Sequence, residues 1–205
     1  MYSHLHLRIL SSVVIFIIFT FVTVLSRKGY VVLIGLVGLF MGIEWRRMTY
    51  KTSYAKYGLI LIMPILCLLY LRFFYNYHFA LLYFYGIWAT DTFAMLGGKT
   101  FGGPKLVRKI SPLKTWSGLL CGCIASAMIW DMGYYFFELR SLSVNPLFYG
   151  FINGLVAQAS DIFISYFKRK SDIKDSGNLI PGHGGFLDRF DSIIFSAPLL
   201  LWMLK

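Results

Sequence analysis

Charge is scarce in this sequence. Asp, Glu, Lys and Arg make up 14% of its 205 residues, against about 25% in an ordinary soluble domain. So few charges cannot cover a water-facing surface, which argues against a soluble globular enzyme. Acids are scarcer still: 9 Asp and Glu stand against 20 Lys and Arg, for a net charge of +11. Cysteine is limited to Cys67, Cys121 and Cys123, all inside apolar runs. An odd count without histidine at metal-site spacing fits neither a disulfide framework nor a zinc site, and points to buried thiols. No internal repeat, low-complexity tract or linker breaks the chain, so one transmembrane domain over 1–205 is expected. No base-reading module is visible, so nucleic acid is not an expected partner. What is abundant is apolar: hydrophobic residues reach 58% and aromatics 19%. That excludes disorder and leaves a polytopic membrane protein, with lipid as its main solvent.

Seven apolar runs stand out, at 9–25, 29–45, 58–75, 78–96, 115–137, 146–167 and 190–204. A spanning helix needs about 20 mostly apolar residues, so the second and seventh runs are short. The expectation is an all-α integral membrane protein with about seven transmembrane helices. The first run lacks a small-residue cleavage site and reads as a retained helix. Basic residues collect in three loops: Arg46, Arg47, Lys51 and Lys56; Lys99, Lys105, Arg108, Lys109 and Lys114; Lys168, Arg169, Lys170 and Lys174. Positive charge favours the cytoplasmic side. This places the three loops and the N-terminus inside and the C-terminus outside. Arg27 and Lys28 break the pattern and leave a helical hairpin of the first two runs open. Gly35, Gly38 and Gly42 in the second run suit close helix packing.

Charges within membrane spans are costly and therefore informative. Asp91 and Asp161 lie near the cytoplasmic ends of runs four and six. Asp188 and Asp191 stand at the start of run seven, and Asp131 lies nearer the outer end of run five. Four of the five acids thus share one membrane face with the basic loops, which sets a polar site at the cytoplasmic face. Asp188 and Asp191 are three residues apart, so a helix sets their Cβ atoms roughly 5–6 Å apart on one side. Two such anions repel unless a cation sits between them. Mg²⁺ with substrate phosphate is one reading; capping of a helix start is the other. Pro181-Gly182-His183-Gly184-Gly185 precedes the pair. Its glycines can aim backbone N–H groups at an anion, or simply make a turn. His183 suits phosphate orientation, a place behind a metal ligand, or a structural role. The five cations of the loop 97–118 suit a polyphosphate or lipid phosphate, though membrane topology alone also accounts for them. Its Gly98-Lys99-Thr100 lacks the upstream glycine of a P-loop. Metal-holding acids, phosphate-holding cations and a membrane interface together suggest phosphoryl or nucleotidyl transfer to a lipid. No Ser–His or Cys–His pairing marks a covalent nucleophile.

Two stretches carry a resemblance. Ser165-Tyr166-Phe167-Lys168-Arg169-Lys170, Ile173-Lys174-Asp175-Ser176-Gly177-Asn178-Leu179-Ile180-Pro181-Gly182-His183-Gly184-Gly185 and Leu187-Asp188-Arg189-Phe190-Asp191-Ser192 closely resemble the C-terminal signature of CDP-diacylglycerol synthases, or phosphatidate cytidylyltransferases. Lys99 to Trp116, with Ile110-Ser111-Pro112 and Lys114-Thr115-Trp116, resembles a second block, preceded by the family's Asp-Thr at Asp91-Thr92. The blocks cover roughly 88–195, the family-like catalytic core; the first 87 residues match only as hydrophobic helices.

The resemblance implies that phosphatidate and CTP give CDP-diacylglycerol and pyrophosphate, in the bilayer, on the cytoplasmic side of an inner membrane. It implies Mg²⁺ held by Asp161, Asp188 and Asp191, with room for a second metal ion. Asp175 would help organise metal or phosphate. Lys168, Arg169, Lys174 and Arg189 would face phosphates. Lys99, Lys105, Lys114, Ser165, Asn178 and His183 complete the expected substrate-binding set, and a homodimer is the implied assembly. Two positions depart from the pattern: Ser160 stands where the family has Gly, and Ile164 replaces an acid beside Ser165. The chain is also short for the family. Competing readings are a CTP-dependent enzyme for another lipid phosphate or lipid alcohol, a transporter using Asp91 and Asp131, and an inactive relative.

Overall fold

A computed structural model describes residues 2–139, 144–180 and 184–204, with side chains from residue 11 onward. His183, with Pro181 and Gly182, lies outside the described residues. Each apolar run becomes a helix. The order is α1 (Tyr2–Leu25), α2 (Arg27–Thr49), a 3-10 segment (Ser53–Leu61) running into α3 (Ile62–Phe74), and α4 (Tyr77–Thr100). Two strands follow, β1 (Lys105–Val107) and β2 (Ser111–Thr115), then α5 (Trp116–Phe136), α6 (Pro146–Lys170), α7 (Leu187–Phe190) and α8 (Ile193–Met203). Among the described residues, five helices are long and apolar enough to cross a membrane: Arg27–Thr49, Ser53–Phe74, Tyr77–Thr100, Trp116–Phe136 and Pro146–Lys170. Large apolar side chains such as Val32, Leu66, Met128 and Phe148 stay exposed on their flanks, as lipid-facing residues must. The chain is an all-α, multi-pass membrane protein in its spanning part.

The seventh run differs from expectation in length. Its helix α8 has 11 residues, a rise of about 16 Å at 1.5 Å per residue. That is about half of a ~30 Å hydrocarbon core. Pro198 inside it removes a backbone donor. The run's polar start, Asp188 to Ser192, is drawn off into the separate short helix α7 and its exit.

The fold divides into two compact units: 1–77 with 167–191, and 78–166 with 192–205. The first is built on α2. Its buried stripe Tyr30, Ile34, Val37, Met41, Trp45 and Met48 repeats every three or four residues, the spacing of one helix face. Phe40 stacks on Phe186 with ring centroids 4.8 Å apart, and Trp45 meets Phe167 edge-on at 5.1 Å. Of the glycines read as packing sites, Gly38 sits against Ile65, while Gly35 and Gly42 have nothing within 4 Å.

The second unit packs α5 and α6 through other glycines. A Cβ on Gly150 would lie 2.6 Å from Ala127 Cα, and one on Gly154 would lie 2.9 Å from Cys123 Cα. The basic loop between α4 and α5 folds into an antiparallel hairpin, with Lys105 opposite Thr115 and Val107 opposite Ser111. Gly102 and Gly103 enter it at φ of +62° and +100°, a region open to glycine. Thr115 then caps α5 by accepting the Gly118 N–H at 3.1 Å.

Candidate active site

In the first unit the signature residues form a loop held by two carboxylates. Asp188 Oδ2 accepts the backbone N–H groups of Ser176 (2.8 Å) and Gly185 (2.9 Å). Its Oδ1 accepts the Lys168 ammonium at 2.9 Å. The same ammonium lies 3.8 Å from Asp191 Oδ2. These side chains are shielded: Lys168 is 9% exposed, Asp188 and Asp191 7% each. The cation that the paired acids demand is here the Lys168 ammonium. Asp188, in the first turn of α7, reaches back to the N–H groups before that helix, as a carboxylate at a helix start can, while Lys168 lies beside both acids.

The second carboxylate is Glu44, which the sequence reading passed over. It lies on α2 and is 1% exposed. Its Oε2 accepts Ser176 Oγ–H (2.7 Å) and Leu187 N–H (2.8 Å), and its Oε1 accepts Phe186 N–H (3.0 Å). Three successive N–H groups, at 185, 186 and 187, therefore end on protein carboxylates. From Gly185 to Leu187 the backbone forms an anion nest, and the anions in it are Glu44 and Asp188. A Cβ on Gly177 would stand 2.7 Å from Glu44 Oε1, and one on Gly185 would collide with Glu44 Oε2. Those glycines make room for the carboxylate. Gly184, at φ +84°, has its Cβ direction pointed at Asp188 Oδ2, 2.8 Å away.

Around the loop, Arg169 donates to the Ile173 carbonyl at 2.9 Å. Lys174, Asp175, Asn178 and Arg189 are exposed. A cavity of about 510 Å³ opens beside Asp175. Arg47, Lys51 and Lys170 line it together with Asp172, Asp175 and Ser176. Arg47 and Lys51 are further cations that the sequence reading assigned to topology alone.

The second unit has its own charged group. The Lys114 ammonium, at the end of the hairpin, lies 2.6 Å from Asp161 Oδ2 and donates to Gln158 at 2.8 Å. Ser165 Oγ donates to Asp161 Oδ1 at 3.1 Å. Lys99 and Lys105 are exposed. Ile164 is fully buried and Ser160 is 0% exposed, so the position where an acid was expected is packed as apolar core.

Carboxylate oxygens are the hard donors that Mg²⁺ takes. Asp161 and Asp191 fit that chemistry, each now facing a lysine ammonium. Asp188 fits it less well, since its two oxygens already accept three hydrogen bonds. Among the described residues no three His, Cys, Asp or Glu side chains gather into a metal-holding group.

Residues 70–205 match the model of the cytidylyltransferase family. The chain is 44% identical to the phosphatidate cytidylyltransferase of Rickettsia felis over 210 residues, covering 98% of this chain and 92% of that protein. It is 37% identical to the phosphatidate cytidylyltransferase of Aquifex aeolicus, over 82% of this chain and 62% of that one. Against chloroplastic phosphatidate cytidylyltransferase 4 of Arabidopsis thaliana it is 47% identical over 61% of this chain and 32% of that one. The likeness thus extends beyond 88–195 into the N-terminal helices, and the Rickettsia felis relative is of similar length.

Proposed function

The chain belongs to the cytidylyltransferase family, and on that premise we infer how its charged groups serve the family reaction. It makes CDP-diacylglycerol and pyrophosphate from phosphatidate and CTP. A phosphatidate oxygen attacks the α-phosphorus of CTP; a new P–O bond forms, the bond to the bridging oxygen breaks, and pyrophosphate leaves with that electron pair. The nucleophile needs little help from a base, because a phosphate monoester with second pKa about 6 is mostly dianionic near neutral pH. Catalysis then rests on placing two polyanions and neutralising them.

This chain's own residues supply that. Arg47, Lys51 and Lys170 line the cavity beside Asp175 and suit a triphosphate. Exposed Lys174 and Arg189 suit the same task, and Lys105, Lys99 and Lys114 offer cations in the second unit. In the first unit Asp191 is a carboxylate that would hold Mg²⁺; the second unit, by itself, offers Asp161 for such an ion. When bound it supplies positive charge to the reacting phosphates. The basic loops support a cytoplasm-facing site.

The observation that carries this reading is the near full-length likeness, joined to a loop in which Asp188 and Asp191 are held beside Lys168. The test is turnover in detergent with phosphatidate, radiolabelled CTP and Mg²⁺, with and without EDTA. Labelled lipid that disappears with EDTA is the expected result. No labelled lipid from a folded sample would overturn the reading. For sidedness, a cysteine placed at Lys105 should react with an impermeant maleimide only from the cytoplasmic side.

A further inference from the structure

We propose that Glu44 is a positioning residue for the transfer: without meeting substrate, it sets the backbone from which Asp188 and Asp191 are presented. The proposal rests on the reading of the site given above. Glu44 lies outside the family-matched stretch 70–205, and its partners are 132 to 143 residues away in sequence.

Four observations support it. Glu44 is 1% exposed, and its three partners are all neutral donors. Two of them are the N–H groups of Phe186 and Leu187, where α7 begins; Phe186 gives that helix no side-chain cap of its own. Ser176 joins both carboxylates, giving its hydroxyl to Glu44 and its N–H to Asp188. Gly177 and Gly185 leave no room for a Cβ because Glu44 occupies it. The loop is therefore shaped around this carboxylate. Asp188 is one residue beyond Leu187, and Asp191 three residues beyond that. A shift of the 186–187 backbone moves both acids and loosens their grip on Lys168.

A carboxylate is matched to this place in a way that a neutral amide is not. It accepts at both oxygens, and all three facing groups donate. In Glu44→Gln, one oxygen becomes an NH₂ group. Whichever way the amide turns, a backbone N–H faces a donor, while side-chain volume is kept. Misplacement of reacting groups by about 1 Å can cost ~100-fold in rate.

The experiment measures kcat and both KM values in detergent for the wild type, E44Q and E44D, with thermal unfolding and amide hydrogen exchange on each. For E44Q the expected result is kcat lower by roughly 10–100-fold, with both KM values within ~3-fold. Amides 185–187 should exchange at least ~10-fold faster. E44D keeps both acceptor oxygens and should recover part of the rate. Wild-type kcat in E44Q would overturn the proposal. So would a loss that only tracks the folded fraction, or a rise in KM at unchanged kcat. Should the wild type itself make no labelled lipid, the functional reading fails, and exchange decides the rest. Unchanged protection at 185–187 in E44Q then overturns the clasp, and lost protection upholds it.

Discussion

In the first unit the buried carboxylates of Glu44 and Asp188 accept six hydrogen bonds between them. In the second, five polar atoms of Ser126, Trp130, Tyr149 and Asn153 are buried and have no partner among the described residues. The two regions show what buried polarity does in each setting. A carboxylate aimed at loop N–H groups fixes a backbone that has no ladder of its own. The helices α5 and α6 satisfy their own backbones, so polar side chains between them specify little. The first arrangement is costly to disturb, since a partner removed leaves a buried charge. The second should tolerate change.

Removing the Lys168 ammonium should have the largest effect. Lys168→Met takes away the ammonium that lies beside both Asp188 and Asp191. Breaking a buried pair in this way costs about 3–5 kcal/mol, read as a fall in unfolding temperature. Turnover per folded molecule should fall by more than ~100-fold. Adding Asp188→Asn to the same chain should restore part of the stability, because the amide oxygen can still accept two N–H groups. A double variant no more stable than Lys168→Met would break the claim that charge, and not shape, holds this region.

Packing in the second unit comes next. Gly150→Val drives a side chain into the backbone of α5 at Ala127 and Ser126. Overpacking of this kind costs ~1–3 kcal/mol, again read by thermal unfolding. It should act through helix packing and leave amide exchange at 185–187 unchanged. The ion pair of Lys114 and Asp161 is smaller in stability, being 20% and 24% exposed. Lys114→Met should cost under ~1 kcal/mol, while lowering turnover if Asp161 serves the reaction. Equal loss of stability and turnover would reduce the pair to a structural tie.

Much of the fold was legible from the sequence, because lipid demands long apolar helices whatever the tertiary packing. All seven runs formed helices. The hairpin at 105–115 was not legible: strands of three and five residues are too short to show alternation among lysines. The spacing of Asp188 and Asp191 was legible, though not that the Lys168 ammonium would lie beside both. Glu44 left a trace that went unread. It sits three residues beyond Met41 on the buried stripe of α2, an acid where the pattern asks for an apolar residue. Its partners lie more than 130 residues away, so no local spacing could supply them.

The smallest expected effect tests the comparison most sharply. Asn153 is fully buried, and both its amide oxygen and nitrogen lack partners among the described residues. Tyr149, one turn earlier, packs edge-on against Trp130 at 4.3 Å, and its hydroxyl has no partner among the described residues either. An apolar group of the same shape replaces an unsatisfied polar one at little or no cost. Asn153→Leu should therefore leave the unfolding temperature unchanged or raise it, by a stability change of under ~1 kcal/mol, and should leave turnover intact. A clear loss of stability would mean that the Asn153 amide has a partner outside the described residues. The contact of α5 with α6 would then hold its buried polarity as firmly as the Glu44 loop does, and the contrast between them would fall.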